Sequence, residues 1–214
     1  TEYPVGNMLG IYIGGQCSKG SIYKYIYATI ARSNIVIDNL KGDAETQEVK
    51  DILGTAYAFR GISYYQLIRL FCPPVGSADE QLGVPLLTEF DMESRPLRGT
   101  LEQTIELAES DMKKAIGYDV QNESYYFNSD VMKGYLARLY FWCQHYKEAK
   151  ELALELLQRH PLIEGEAYKA MMTEYNDVAG NMLFRTAKLD NSFSTQNAYV
   201  SARPISIRYI KLFE

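Results

Sequence analysis

The stretch Ser129–Pro161, SDVMKGYLARLYFWCQHYKEAKELALELLQRHP, decides the fold. Met132, Tyr135, Leu136, Leu139, Tyr140 and Cys143 recur at spacings of 3, 1, 3, 1 and 3, which keeps them on one face of a helix. Asn128 or Ser129 stands where an N-cap belongs, because either side chain can accept a hydrogen bond from the first helical turn. A tight break near His145 leads into a second helix with the stripe Ala149, Leu152, Ala153 and Leu156, and Pro161 stops it. Two amphipathic helices joined so closely fold back on each other, and the class is all-α, built of antiparallel helix pairs.

Upstream, the same period continues. Ile22, Ile26, Thr29, Ile30, Ser33 and Ile37 predict a helix from about Ser21 to Leu40, broken at Gly42-Asp43. Asp43 can cap the next helix over an acidic first turn, Glu45–Glu48. Val49, Ile52, Leu53, Ala56, Ser63, Tyr64, Leu67 and Phe71 carry its stripe to Cys72, where Pro73-Pro74 ends it. A helix of roughly 30 residues would reach roughly 45 Å and must be a central rod packed on both sides. Pro73–Gly99 is then a loop of 27 positions with four prolines and three glycines, either functional or a packed crossover. Thr100 and Gln103 form a capping box ahead of the stripe Leu101, Ile105, Ala108, Met112 and Ala115. The organisation is therefore a loop at 1–20, a helix pair at 21–72, the long loop at 73–99, helices at 100–161 and an irregular region at 162–214. Within the last, Glu166–Tyr175 reads as a weak helix, Asn181–Leu189 as extended and Asp190–Ala202 as loop.

Composition removes several functions. The chain of 214 residues has 22 Lys+Arg against 27 Asp+Glu, a formal charge of −5, and no basic block, which disfavours nucleic acid. The longest uncharged stretch, Tyr3–Ser18, is too short and too broken by Pro4 and four glycines to span a bilayer. Residue 1 is Thr rather than Met, so a processed or excised chain is expected. Cys17, Cys72 and Cys143 make no C-x-x-C pair; Cys72 and Cys143 read as small core residues and Cys17 as a loop thiol. No cofactor or metal motif is present. The unusual count is tyrosine, 18 of them beside 8 Phe and 1 Trp.

The helix pair at 129–161 fits the 34-residue tetratricopeptide pattern. Leu136, Tyr140 and Ala149 fall on its leucine, tyrosine and first alanine, whereas Lys133, Ala137 and Ala153 replace its tryptophan, glycine and phenylalanine. The register fails one repeat upstream, where Glu106 occupies the place of Tyr140. Small Ala137, Ala149 and Ala153 allow close helix approach, with Tyr140 and Tyr146 filling the gaps beside them.

Five stretches then appear in a telling order: Ile30-Ala31-Arg32-Ser33-Asn34; Ala58-Phe59-Arg60-Gly61 through Tyr65-Gln66-Leu67; Gly83-Val84-Pro85-Leu86 with Arg95 and Arg98-Gly99-Thr100; Asp111-Met112-Lys113-Lys114-Ala115; and the Gly134–Leu156 helix pair. In this order the sequence resembles the SusD/RagB family from Ser21 to about Leu212. The resemblance implies a non-catalytic lipoprotein at the cell-surface side of the outer membrane. It would bind oligosaccharide and pass it to a SusC-like TonB-dependent transporter. It also implies a lipidated cysteine outside this chain, since Gly-Gly-Gln rather than a lipobox precedes Cys17, and a longer protein of which this is an N-terminal portion or a shortened relative. Cys72 replaces the glycine of the family's fold-back. The competing expectation is a tetratricopeptide-like adaptor for a protein or peptide.

His145 and His160 each sit at a helix end, where capping outweighs catalysis. The acid pairs Glu89 with Asp91 and Asp119 with Glu123 are what a solvated surface offers, so no enzyme is expected. Arg60 lies on the buried stripe, where an unpaired guanidinium is costly; a carboxylate partner is predicted, the resemblance implies Asp111 as the leading candidate on motif grounds, and Arg60 reads as a structural pin. Tyr25, Tyr57, Tyr64, Tyr135, Tyr140 and Tyr146 are expected in or beside the core. Tyr3, Tyr12, Tyr125, Tyr126 and Tyr199 fall in loops. A flat aromatic can cover a sugar's C–H face while amides bond its hydroxyl rim. Tyr3, Asn7, Tyr12 and Gln16 are therefore the first candidates for ligand contact, against the alternative of a packed glycine loop.

Overall fold

Helices dominate the described residues, which in this computed structural model are 21–43, 45–77, 80–91, 93, 95–121, 127–168 and 183. In order they are α1 (Ser21–Leu40), α2 (Gln47–Phe71), strands β1 (Leu82–Pro85) and β2 (Arg98–Thr100), α3 (Leu101–Gly117), α4 (Ser129–Trp142) and α5 (Tyr146–Arg159). All belong to one of the chain's two compact units, residues 1–184; the other, 185–214, lies outside the description. The fold is all-α apart from one small ribbon, as the periodicity predicts.

α2 is the axis. Its 25 residues span roughly 37 Å, and side chains on nearly every face are buried, from Leu53 to Ile68. It packs on α1 and on α3; α3 packs on α4, and α4 on α5. The helix is shorter than the stripe suggested because Thr46, not Asp43, caps it, accepting the Val49 N–H at 3.3 Å. Ile52 also leaves the predicted stripe and is exposed, as is Ile22 on α1. Gly61 lets α2 and α3 approach closely: a Cβ there would sit 3.0 Å from Met112 Cγ and 3.1 Å from the Ala108 carbonyl. Tyr57 and Tyr118 stack at 5.9 Å across the same seam.

The other helix starts follow their caps. Thr100 and Gln103 make both bonds of a capping box for α3, and Asn128, rather than Ser129, caps α4 through the Val131 N–H. The residues between α2 and α3 form a packed crossover, and they contain structure that the prolines concealed. β1 and β2 pair antiparallel, Leu82 opposite Thr100 and Pro85 opposite Arg98. Gly83 has no room for a side chain, because a Cβ would collide with Thr104 Oγ1 and the Thr100 carbonyl. The Arg98 guanidinium donates to the Gly83 carbonyl and, at 3.3 Å, to the Phe71 carbonyl that ends α2.

Two expectations about packing need correction. Tyr25 and Tyr146 are exposed, whereas Tyr57, Tyr64 and Tyr140 are buried and Tyr135 is half-buried. Ala149 alone of the three alanines on the α4–α5 seam is buried; Ala137 is half-buried and Ala153 exposed, because the seam opens into a groove instead of closing. Cys143 is buried, Cys72 half-buried, and both are free thiols. Residues 165–168 are helical; the rest of the predicted Glu166–Tyr175 helix, the segment 181–189 apart from Leu183, the segment 190–202, and Cys17 lie outside the described residues.

Candidate functional site

Two regions have side chains organised beyond ordinary packing. The first is enclosed. Arg60 on α2 (4% exposed) meets Asp111 on α3 (0% exposed) in a two-pronged pair, Nε to Oδ2 at 2.7 Å and Nη2 to Oδ1 at 2.8 Å. The remaining Nη1 donates to Asn34 Oδ1 on α1 at 2.8 Å and to the Thr88 carbonyl at 2.9 Å. Burial pulls the guanidinium's pKa down, but the hydrogen bonds and charge of Asp111 outweigh it, and the group is raised. Asn34 Nδ2 donates in turn to the Leu87 and Glu89 carbonyls at 3.1 and 3.0 Å. The Tyr64 hydroxyl donates to the Leu87 carbonyl and accepts the Leu87 N–H, and burial pushes it up to about 12. One arginine thus joins three helices to the crossover, whose backbone is satisfied by α1 and α2 side chains in place of a sheet. With each nitrogen of the guanidinium bonded to a partner within the chain, the network holds a loop.

The second region is open. A groove of about 550 Å³ runs between α2, α4 and α5, floored by Ala137, Ala149 and Ala153. Phe141 (65% exposed), Trp142 (40%) and Tyr146 (58%) stand around it, Phe141 and Tyr146 edge to face at 5.5 Å. Arg69 lies over both Tyr65 and Trp142, each 5.5 Å from its guanidinium carbon, and Arg138 over Tyr65 at 5.9 Å and Tyr135 at 5.8 Å. Lys150 completes the lining. Such a surface can stack a flat ring face and bond its rim. A hollow of similar size between α1 and α2 is built differently, with Arg32 and Asp51 both in its wall.

The structure brings Arg60 and Asp111 together. Tyr3, Asn7, Tyr12 and Gln16 lie outside the described residues, as do Tyr125, Tyr126 and Tyr199. His160 Nε2 lies 2.8 Å from Asp130 Oδ2 at the end of α5; His145 precedes α5 without a side-chain cap bond and packs by Tyr140. Among the described residues no cluster of His, Cys, Asp or Glu could hold a metal ion, and no helix is long and apolar enough to cross a membrane. Sequence reasoning passed over Phe141 and Trp142, yet a signal was available. Both follow the buried positions Leu136, Leu139 and Tyr140 out of phase, so two adjacent large aromatics had to face away from the core.

Comparison with known proteins places this geometry. Residues 14–141 match the model of the SusD-like family described as starch-binding and associating with the outer membrane. No curated protein matches the chain. A SusD superfamily protein from Bacteroides thetaiotaomicron VPI-5482 is similar in structure, with a TM-score of 0.66 and 26% identity over 76% of this chain and 37% of that one. A SusD superfamily protein from Bacteroides vulgatus ATCC 8482 gives a TM-score of 0.71 at 18% identity, over 80% of this chain and 42% of its own. A laminarin-binding SusD-like protein gives 0.62 at 19% identity, over 77% and 36%. The chain therefore spans about two fifths of the length of the structures it matches.

Proposed function

The chain belongs to the SusD-like family, and from that premise we propose that it serves a non-catalytic glycan-binding protein at the outer face of the outer membrane, which hands oligosaccharide to a SusC-like TonB-dependent transporter. The observation that carries this reading is the groove between α2, α4 and α5, where the exposed aromatics Phe141, Trp142 and Tyr146 stand together around one concave surface. Exposed aromatics beside a concave surface suit the apolar face of a sugar ring. Arg60 and Asp111 are assigned a structural role, pinning the crossover so that the three helices keep their spacing. The glycine-rich segment with Tyr3, Asn7, Tyr12 and Gln16 is proposed as a second contact, and Tyr12→Ala is expected to weaken glycan binding without unfolding the protein.

Titration of the protein with starch-derived and laminarin oligosaccharides, followed by calorimetry, tests the binding. Saturable heat that is lost in Trp142→Ala supports it, whereas no heat with any glycan rejects it. Co-purification of an outer-membrane transporter with the lipidated full-length protein tests the hand-over, and a protein that purifies without one opposes it.

A further inference from the structure

The groove carries a charge pattern opposite to that of the chain around it. The protein is net acidic, at −5. Yet Arg69, Arg138 and Lys150 line one groove without an Asp or Glu among its lining residues. Ion pairs among the described residues engage Lys41, Arg60, Lys113, Lys133, Arg159 and His160, and none engages these three cations. The hollow between α1 and α2 sets Arg32 against Asp51, and the surface around Glu106 and Glu109 sets them against Lys113 and Lys114, whereas a smaller recess on α4 shares Arg138 with the groove and likewise has no acid in its wall.

The positions of the two guanidiniums sharpen the point. Both Arg69 and Arg138 reach the ring of Tyr65. Both lie against aromatic rings, which attract cations but do not neutralise them, and Arg69 also donates to the neutral Gln66 Oε1 at 3.5 Å. Two like charges gathered on one ring repel each other unless an anion joins them. A carboxylate is well suited, since a guanidinium binds it through two parallel hydrogen bonds, and a sulfate ester offers similar acceptor oxygens. Phe141, Trp142 and Tyr146 meanwhile supply the surface for a sugar ring.

We propose that this groove selects an anionic oligosaccharide, one bearing carboxylate or sulfate, with Arg69 and Arg138 reading its charge and Trp142, Phe141 and Tyr146 stacking its rings. The proposal rests on the glycan-binding reading above and narrows it, since starch and laminarin are uncharged.

The test is calorimetry of the protein with four probes of matched length: a galacturonate oligosaccharide, a sulfated heparin oligosaccharide, a maltooligosaccharide and a glutamate-rich peptide. The anionic sugars are expected to bind about tenfold or more tightly than the neutral one, with the preference shrinking in high salt. Which of the two anionic sugars binds more tightly distinguishes carboxylate from sulfate. Arg69→Gln with Arg138→Gln is expected to abolish the preference, Trp142→Ala to weaken every sugar, and Arg32→Gln in the balanced hollow to change nothing. Circular dichroism of each variant secures its fold, and either arginine variant alone serves if the double one does not fold. Equal affinity for neutral and anionic sugars overturns the charge selection while leaving glycan binding intact. Binding of the peptide as tightly as the sugars overturns the ligand class, and binding of no sugar at all removes both the proposal and the reading beneath it.

Discussion

Arg60 and Arg69 stand nine positions apart on one helix and lead opposite lives. Arg60 is sealed between three helices with Asp111, Asn34 and the Thr88 carbonyl on its nitrogens. Arg69 rests on the faces of Tyr65 and Trp142 at the edge of an open groove, without a carboxylate partner among the described residues. An enclosed guanidinium must find its counter-charge within the chain, and the fold is built around that need. A guanidinium at a surface can keep its charge available, provided that something other than a carboxylate holds it in place. Aromatic faces do this for Arg69.

Substitutions can break that contrast, the enclosed arginine first. Arg60→Met leaves Asp111 charged and wholly buried, so a loss of about 3–5 kcal/mol is expected in urea unfolding. Adding Asp111→Leu to Arg60→Met should recover a large part of the loss, because no lone charge then remains inside. A full-stability single variant would mean that the pair is not a pin. Next in size, Asn34→Ala strips the Leu87 and Glu89 carbonyls and Arg60 Nη1 of one partner, at about 1–3 kcal/mol. The same denaturation series reads it, and an unchanged midpoint would place the crossover's hold elsewhere. Gly83→Ala forces β1 away from Thr104 and Thr100 and should cost about 1–3 kcal/mol. By contrast, Arg69→Gln is expected to shift stability by no more than about 0.5 kcal/mol while lowering affinity in the groove, which separates the two arginines by role. A large loss of stability would make Arg69 a packing residue after all.

The smallest expected effect is one of pH. The Asp38 carboxyl is held below the usual carboxylate range, chiefly by the Phe90 N–H at 3.0 Å and also by Lys41. Because its folded pKa lies below its unfolded one, its contribution is complete above the unfolded value of about 3.9 and fades as pH falls through the folded value. Hydrogen exchange at the Phe90 amide should therefore speed up relative to its neighbours only in that acid range. Acceleration already at neutral pH would exclude Asp38 as the clip.

How much of this could be read from sequence follows the same division. Helices are local in their signal, and the stripes of α3 and α4, that of α1 apart from Ile22, and the capping box at Thr100 are legible in the sequence. That Arg60 needs a carboxylate partner is legible because a buried charge must be satisfied, and it is the motif resemblance that singles out Asp111. The ribbon of β1 and β2 is not, since its few residues derive their pairing from Thr104 and Arg98 rather than from any alternation of their own. Asp43 reads as the cap of α2, but Thr46, three positions on and equally able to accept from the first turn, takes that role, and residue type does not separate the two. The groove stayed hidden for another reason. Tyr146 sits where a tetratricopeptide tyrosine-like filler is expected, and only the spacing of α4 and α5 over small alanines shows that it lines a space instead of filling one.

Trp142 is the single tryptophan of the chain, against 18 tyrosines, and it stands beside Arg69 at the mouth of the groove. This chain thus carries a built-in optical probe: within it, light absorbed selectively by indole is emitted from one place. A guanidinium drawn off that ring by an arriving anion would change the colour and yield of the emission, while the tyrosines that hold the core together stay silent.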